Sequence, residues 1–224
     1  MCGRFTLFAP YYEIIERFDI EVAFAESDYI PSYNIAPSQQ VVAIINDGKR
    51  NRLGHLRWGL IPPWAKDEKI GYKMINARAE TVAEKPSFRK AFSKKRCIIP
   101  ADSFYEWQKQ NGEKIPMRIK LKNDELFAIA GLWETWQSPD GKLLHTCTAI
   151  TTEPNELMKP IHDRMPVILK REDEAAWLDP LNSDIHFLGN MLKPFDEAQM
   201  DAYSVSSAVN SPKNNEESLI LPVC

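Results

Sequence analysis

The residue with the clearest chemical potential is Cys2, in the opening sequence MCGRFT. Removal of Met1 would leave Cys2 with a free α-amine and a thiol, separated by two carbon atoms. Reference pKa values of about 7.7–8.0 for an α-amine and about 8.5 for a cysteine thiol keep a reactive fraction of both near neutral pH. A small second residue permits the loss of Met1, so Cys2 is a candidate nucleophile.

Two reactions are open to such a residue. The amine can condense with an aldehyde to a Schiff base, and the thiol can then add to the imine and close a five-membered thiazolidine ring. Alternatively, the thiol can attack an acyl group with the amine as base, as in N-terminal nucleophile hydrolases. The dipeptide alone leaves a third interpretation open, in which the cysteine at position 2 is incidental.

Polar residues that could bind an anionic substrate occur at two places. One is close to Cys2 in the sequence, and the other is a later motif. Arg4 faces the same side as Cys2 if RFTLFA is a strand, and a guanidinium there would bind phosphate or carboxylate. The motif MINARAET places Asn76, a donor and an acceptor, two residues before Arg78. The alternatives are an ordinary surface arginine and a helix start or turn.

Two further residues could move protons. Glu106 lies between two aromatic residues in SFYEWQ, and a carboxyl group among apolar rings has a raised pKa that suits acid–base catalysis. The alternative is a glutamate on the solvent face of an edge strand. His162 lies in a predicted turn of KPIHDRMPVIL, where an imidazole could shuttle protons at neutral pH.

These residues fall on a chain of short strands with few helices. QVVAIIND and RLGHLRWGL are predicted to pair through the turn NDGKRN, and four more strands follow from RCIIPADSFYEWQ to LHTCTAITT. Helices are predicted in PYYEIIERF, INARAETVAEKPSFRKAFSKK, NELMKPI and REDEAAWLDP, and a loop in DYIPSYNIAPSQ. The pattern predicts an α+β fold, a curved antiparallel sheet or open barrel with flanking helices.

The bulk composition sets limits on organisation. The chain of 224 residues is 44% hydrophobic and 26% charged, which predicts one domain over residues 1–224. The polar segment 207–224 is expected to be a flexible or peripheral tail. No apolar run reaches transmembrane length and no secretory signal is present, so we expect a cytoplasmic protein without a membrane partner.

Metal binding and general nucleic-acid binding are disfavoured. The four cysteines and four histidines are scattered and no CxxC motif occurs, so no metal is expected. Cys97 and Cys147 are predicted to be buried, reduced thiols. A net charge of −3 argues against a surface covered with non-specific nucleic-acid contacts, although it allows a local basic cleft.

Six motifs occur in a fixed order: MCGRF, YNIAPSQ, LRWGLIPPWA, NARAET, CIIPADSFYEW and PIHDRMPVIL. Together they resemble the SRAP (SOS response-associated peptidase) family of abasic-site processing proteins. The resemblance runs from Cys2 to about Asp179 and continues more weakly through AYSVSSAVN. The β-rich α+β fold of that family agrees with the predicted elements.

The resemblance implies a sensor of abasic sites in single-stranded DNA, which would act in the DNA damage (SOS) response. Cys2 would form a covalent thiazolidine crosslink after Met1 is lost, by autoproteolysis or through an aminopeptidase. His162 would assist opening of the sugar ring, and Asn76 would orient the amine and the sugar. Glu106 would activate Cys2 and relay protons, including for removal of Met1 and reversal of the crosslink. A Schiff-base intermediate also predicts weak AP-lyase activity.

The resemblance further implies a set of DNA contacts. The candidate phosphate ligands are Arg4, Arg78 and Arg164. Trp58 and Trp64 are candidates for stacking on flanking bases or wedging the strand. Asn34, Pro37 and Thr151 are candidates for lining the cleft. The expected partner is single-stranded DNA with an abasic site, bound by a monomer that uses no cofactor. The expected setting is the cytoplasm of a bacterium, at the nucleoid or replication fork, for a bacterial or phage-encoded protein.

Two other classes of protein remain to be distinguished. MCG also opens class II glutamine amidotransferases, but their RGPD-type loop and NGEIYN-like strand are missing here. A non-catalytic binder of single strands would not need Cys2. Substitution of Cys2 separates all three, because crosslinking and ammonia release from glutamine each require the thiol, whereas simple binding does not.

Overall fold

Thirteen β-strands and four short α-helices build the described part of the chain, residues 2–223 of a computed structural model. The strands are β1 (Phe5–Leu7), β2 (Ser32–Ile35), β3 (Gln40–Asn46), β4 (Asn51–Trp58), β5 (Asn76–Arg78), β6 (Arg96–Ala101), β7 (Ser103–Gln110), β8 (Glu113–Leu121), β9 (Phe127–Gln137), β10 (Leu143–Thr152), β11 (Met165–Pro166), β12 (Ile168–Leu169) and β13 (Met200–Ser204). The helices are α1 (Tyr11–Arg17), α2 (Arg89–Lys94), α3 (Arg171–Leu178) and α4 (Ile185–Asn190).

Five of the strands close into a barrel. The pairings run β4–β3–β6–β9–β10, and β10 pairs back with β4, so the ring has no open edge. Strand β6 is buried along its whole length, because its sequence RCIIPA packs between the barrel interior and helices α2 and α3. Strand β4 is buried only at Leu53, Leu56 and Trp58 and is more exposed between them.

A second sheet packs against the barrel in the order β13–β8–β7–β1–β2. The chain passes from one sheet to the other at Asp102, between β6 and β7. The Asp102 carboxylate accepts hydrogen bonds from the backbone N–H groups of Phe8 (2.6 Å) and Ala9 (3.3 Å). This corner places the N-terminal strand β1 beside β7.

The predicted α+β class and barrel are confirmed, and Cys97 and Cys147 are buried, unpaired thiols. The barrel is closed rather than open. It is also not wholly antiparallel, because β10 runs parallel to β4 and β5. Parallel pairing requires long crossovers, which hydrophobic alternation does not reveal.

Several element predictions differ from the structure. YNIAPSQ, predicted as a loop, supplies β2, and NARAET supplies β5 where a helix was predicted. NELMKPI forms hydrogen-bonded turns instead of a helix. Asn155 caps the first turn through its side chain, but Pro160 has no N–H to continue the series.

The C-terminal segment, expected as a flexible or peripheral tail, packs against the second sheet through residue 223. Val209 and Leu219 are fully buried against Tyr105. None of the helices described in residues 2–223 is long and apolar enough to cross a membrane.

Candidate functional site

Strand pairing brings the start of the chain to Glu106. Phe5 of β1 lies opposite Phe104 of β7, and the backbone N–H of Tyr105 donates to the carbonyl oxygen of Arg4 at 2.9 Å. The same antiparallel register, followed outward, sets the residues before Arg4 beside Glu106. Both Cys2 and Glu106 are buried, with 5% and 2% of their surface exposed.

The thiol of Cys2 and the carboxyl group of Glu106 are close enough to influence each other's ionisation. Burial, and then the neighbouring Glu106 carboxylate, raise the pKa of the Cys2 thiol well above its usual value. Burial also raises the pKa of Glu106, and the hydrogen bond from Cys2 and the charge of His162 oppose that rise. A carboxyl group with a raised pKa can both accept and donate a proton near neutral pH.

Asn76 connects the N-terminus to the barrel. It begins β5, which pairs in parallel with β10, with Asn76 opposite Ala149. Its side-chain Nδ2 donates to the carbonyl oxygen of Cys2 at 3.0 Å. Its Oδ1 is buried without a hydrogen-bond partner among the described residues. Since an unpaired buried acceptor is unfavourable, this oxygen would gain from a bound N–H or O–H group.

His162 completes the cluster. Its Nε2 lies 3.8 Å from Oε2 of Glu106. Its Nδ1 accepts the backbone N–H of Arg164 at 3.1 Å, and the Asp163 carboxylate lies 3.0 Å from the same nitrogen. The other ring nitrogen, Nε2, therefore faces Glu106.

Arg164 has an internal partner where the sequence predicted a phosphate ligand. Its two terminal nitrogens lie 2.7 Å and 2.9 Å from the carboxylate oxygens of Glu80, and Nη2 also donates to the carbonyl oxygen of Thr151 at 2.6 Å. Thr151, predicted to line the cleft, is 3% exposed and contributes its backbone. This clamp holds the loop of His162 against β10.

The expectation for Asn34 is corrected in the same way. Its side chain is 2% exposed, so it lines no open cleft. It contacts the guanidinium of Arg4 and backbone carbonyls of the C-terminal segment instead. Pro37 is half-buried just beyond β2, and Arg78 is exposed at the end of β5.

The two tryptophans of RWGLIPPW have opposite environments. Trp58 is 2% exposed, and its indole N–H donates to the carbonyl oxygen of Ile75 at 2.8 Å, so the predicted base stacking is wrong for this residue. Trp64 is 59% exposed. It shares one shallow surface depression with the ammonium-bearing side chains of Lys66, Lys69 and Lys73.

Sequence reasoning missed two residues of the site region. Glu80 is part of NARAET, but its role depends on Arg164, which lies 84 positions further along the chain. Trp107 places its ring 5.7 Å from the Arg4 guanidinium, and its indole N–H donates to Asn210. The only sequence signal for Glu80 was its place in a motif already singled out for Asn76.

Within residues 2–223, no group of three or more histidine, cysteine, aspartate or glutamate side chains could hold a metal ion. Met1 lies outside the described residues, so the structure does not place the residue whose removal the amine chemistry requires.

Comparisons with known proteins point in one direction. The family model for SOS response associated peptidase (SRAP) matches residues 1–212. Abasic site processing protein YoqW of Bacillus subtilis is 65% identical over 98% of this chain and 99% of its own length. Abasic site processing protein HMCES of Xenopus tropicalis is 33% identical over 84% of this chain and 64% of its own length. A crystal structure of a Bacteroides thetaiotaomicron protein, 31% identical, superimposes with a TM-score of 0.90 over 100% of both chains.

Proposed function

This chain belongs to the SRAP family, and we propose that it processes abasic sites by forming a covalent crosslink between Cys2 and single-stranded DNA. The observation that carries the proposal is the cluster at Cys2. The Glu106 carboxyl group lies close enough to the thiol to raise its pKa, the backbone carbonyl of Cys2 accepts a hydrogen bond from Asn76, and His162 lies 3.8 Å from Glu106. A nucleophile, a proton-transfer group and an orienting amide are thus in mutual contact.

The proposed reaction begins once Met1 has been removed. An abasic deoxyribose exists partly in a ring-opened form with an aldehyde at C1′. The α-amine of Cys2 attacks this carbon, and the resulting carbinolamine loses water to give an imine. The thiol then adds across the C=N bond and its proton passes to nitrogen, which closes the thiazolidine. The net change is the loss of one water, so no oxidant or reductant is needed.

Each side chain of the cluster has a role in these steps. As an imidazolium, His162 gives the proton of Nε2 to the ring oxygen of the sugar as the ring opens, which leaves a neutral imidazole. Glu106 accepts a proton from the attacking group and returns it to the departing hydroxyl, which its raised pKa favours. The Oδ1 of Asn76, buried without a partner among the described residues, accepts an N–H of the α-amine and orients its lone pair toward C1′.

Two further activities belong to the proposal. Glu106 is the base for removal of Met1. Either water attacks the Met1 carbonyl carbon and the C–N bond to Cys2 breaks, or the Cys2 thiol attacks first, the C–N bond breaks, and water hydrolyses the resulting thioester; both routes release methionine and free the α-amine. The imine can also lose the 3′-phosphate by β-elimination before the ring closes, so weak AP-lyase activity is expected. Both depend on the same buried carboxyl group.

The proposed DNA path uses the exposed groups near the cluster. Arg4 and Arg78 bind phosphates, and Trp64 stacks on a base beside the lysines that share its surface. Half-buried Pro37 lines the path at the end of β2. Because the net charge is −3, binding depends on this local basic path. All of these groups come from one chain, so we expect a monomer, acting where single-stranded DNA is exposed in a bacterial cytoplasm.

The test is intact-mass spectrometry of the purified protein before and after mixing with an oligonucleotide that contains one abasic site. We expect a protein without Met1, and then a denaturant-resistant adduct equal in mass to protein plus DNA minus one water. Cys2→Ser should retain binding to single strands and lose this adduct, whereas Cys224→Ser should behave as the parent protein. A parent protein that keeps Met1, or that forms no adduct, would contradict the proposal.

Three side assays separate the neighbouring possibilities. Borohydride trapping and a gel for cleaved strand test the AP-lyase step. Ammonia release from glutamine, abolished by Cys2→Ser, would point to an amidotransferase instead. Binding without any adduct in parent and variant alike would indicate a simple single-strand binder.

A further inference from the structure

A segment near the C-terminus, residues 206–215, lies across the N-terminal strand pair and is called the C-terminal strap below. Asn34 of β2 is its main attachment. The Nδ2 of Asn34 contacts three backbone carbonyl oxygens of the strap, those of Val209 (3.3 Å), Ser211 (3.0 Å) and Asn214 (2.7 Å). An amide group satisfied in this way has a fixed orientation, so its Oδ1 is also fixed.

The Oδ1 of Asn34 accepts from Nη1 of Arg4 at 2.7 Å, and the same Nη1 donates to the carbonyl oxygen of Val209 at 2.6 Å. Both acceptors are uncharged. Burial lowers the pKa of Arg4, and the described residues supply no carboxylate to oppose it. The Nε of Arg4 is buried without a hydrogen-bond partner within residues 2–223. Arg4 is therefore held firmly while its positive charge is not neutralised.

Arg4 therefore differs from Arg164, whose terminal nitrogens both contact the negatively charged Glu80 carboxylate. It also keeps the charge near the proposed nucleophile, because Arg4 is two residues from Cys2 in the segment that leads into β1. On its other side the guanidinium lies 5.7 Å from the ring centre of Trp107. The strap fixes that ring as well, since the Trp107 indole N–H donates to Asn210 at 2.7 Å.

We propose that Asn34 is a positioning residue that, with the C-terminal strap, holds Arg4 as an uncompensated cation for the DNA phosphate beside the abasic sugar. The inference rests on the proposed function and adds separate roles for two residues: Arg4 binds the phosphate, and Asn34 orients Arg4. An uncharged amide is suited to this task, because it orients the guanidinium and leaves its charge for the phosphate. Asn34 acts through Arg4 and does not touch the DNA.

A double-mutant cycle tests this coupling. The probe is a single-stranded oligonucleotide with a tetrahydrofuran abasic analogue, which has no aldehyde and so reports binding without crosslinking. The affinity is measured against salt concentration for the parent, Arg4→Ala, Asn34→Ala and the double variant. Loss of one phosphate contact to a single strand should lower the slope of log K against log [salt] by about 0.7. We expect this decrease in both single variants and no further decrease in the double variant.

Asn215→Ala is the matched control. Asn215 attaches the end of the same strap to the same strand, through Ser32 (3.2 Å) and the backbone N–H of Tyr33 (2.7 Å), without touching Arg4. It should leave the salt slope at the parent value. An equal loss of slope in Asn215→Ala, or additive losses for Arg4 and Asn34, would show that Asn34 only packs the strap, and the proposal would be wrong.

Thermal unfolding of each variant shows whether it is folded at the temperature of the binding assay. If Asn34→Ala is not, Asn34→Ser replaces it in the same cycle. Failure of the proposed function gives a different result: the parent protein then forms no adduct with a reactive abasic oligonucleotide. A parent that crosslinks, an Arg4→Ala variant with a lowered slope and an Asn34 variant with the parent slope would refute this inference alone.

Discussion

The side-chain Nδ2 of Asn76 donates to the carbonyl oxygen of Cys2 across 3.0 Å, which ties the N-terminus to strand β5 and through it to the barrel. The bond acts on the backbone of Cys2, while the neighbouring Glu106 carboxyl group acts on the pKa of its thiol. The pair therefore fixes where the reactive residue can meet a substrate.

Replacement of Asn76 tests that constraint. We expect Asn76→Ala to slow crosslinking to an abasic oligonucleotide by about 10- to 100-fold, because a nucleophile displaced by about 1 Å loses this much rate. Binding of the unreactive abasic analogue should change little. The measurement is the single-turnover rate of adduct formation on denaturing gels, with exposed Asn123→Ala as control. Equal losses of rate and binding would contradict a role in orientation.

The raised pKa of Glu106 predicts a pH dependence. If its carboxylate form accepts a proton during the reaction, the crosslinking rate rises with pH along a limb above the ordinary glutamate pKa of about 4.3. Glu106→Gln keeps the size of the side chain and cannot ionise. It should lower the rate by at least about 100-fold and abolish that limb. The test is the crosslinking rate of the parent and of Glu106→Gln measured between pH 4.5 and pH 8. Glu113→Gln, which changes an exposed residue of β8, is the control and should keep the pH profile of the parent.

Glu80 should support the reaction from a distance. Glu80→Ala removes the carboxylate from both terminal nitrogens of Arg164 and leaves Nη2 with its bond to the Thr151 carbonyl. The backbone N–H of Arg164 contacts Nδ1 of His162. We expect the crosslinking rate to fall by about tenfold as the imidazole loses its fixed position. Glu84→Ala removes an exposed carboxylate of the same segment and should have no effect. An unchanged rate in Glu80→Ala would mean that the His162 loop is held by other contacts.

Alanine substitutions of Trp64 and Trp58 should have different effects, the first on DNA binding and the second on stability. Trp64→Ala should weaken binding to single-stranded DNA by about 1–3 kcal/mol and leave the unfolding free energy unchanged, because the side chain is 59% exposed. Trp58→Ala should lower the unfolding free energy by about 3–5 kcal/mol, as expected for a buried indole. Denaturant titrations and binding isotherms measure both quantities. Phe187→Ala, another exposed aromatic residue, is the control for Trp64.

Asp102 predicts how stability depends on pH. Burial raises its pKa to about 6, while its hydrogen bonds from Phe8 and Ala9 oppose the rise. The unfolded chain has a value of about 3.9, so the protonated form stabilises the fold below that pH and this contribution is lost as the pH rises through about 6. Asp102→Asn cannot ionise. Relative to the parent, its unfolding free energy should therefore increase by about 2 kcal/mol between pH 4 and pH 7. Urea unfolding across this range would show a constant difference if the prediction were wrong.

The sequence determined the chemical groups and the general fold. A thiol at position 2 is a property of the chain itself, and the aromatic neighbours of Glu106 already indicated a buried carboxyl group with a raised pKa. Short strands with period-two alternation were enough to predict an α+β barrel, because that alternation reflects one buried and one solvated side. Its closure through parallel pairing of β10 was not predictable, since pairing partners are distant in sequence.

Only the tertiary structure decided which of the chemically equivalent residues are available. Arg4 and Arg164 are the same residue type in recognisable motifs, but Arg164 contacts a carboxylate 84 positions away, whereas Arg4 contacts an amide 30 positions away and keeps its charge. Trp58 and Trp64 differ in the same manner, one in the core and one at the surface. Charge compensation and burial depend on contacts between distant parts of the chain, and a local sequence pattern carries no record of those contacts.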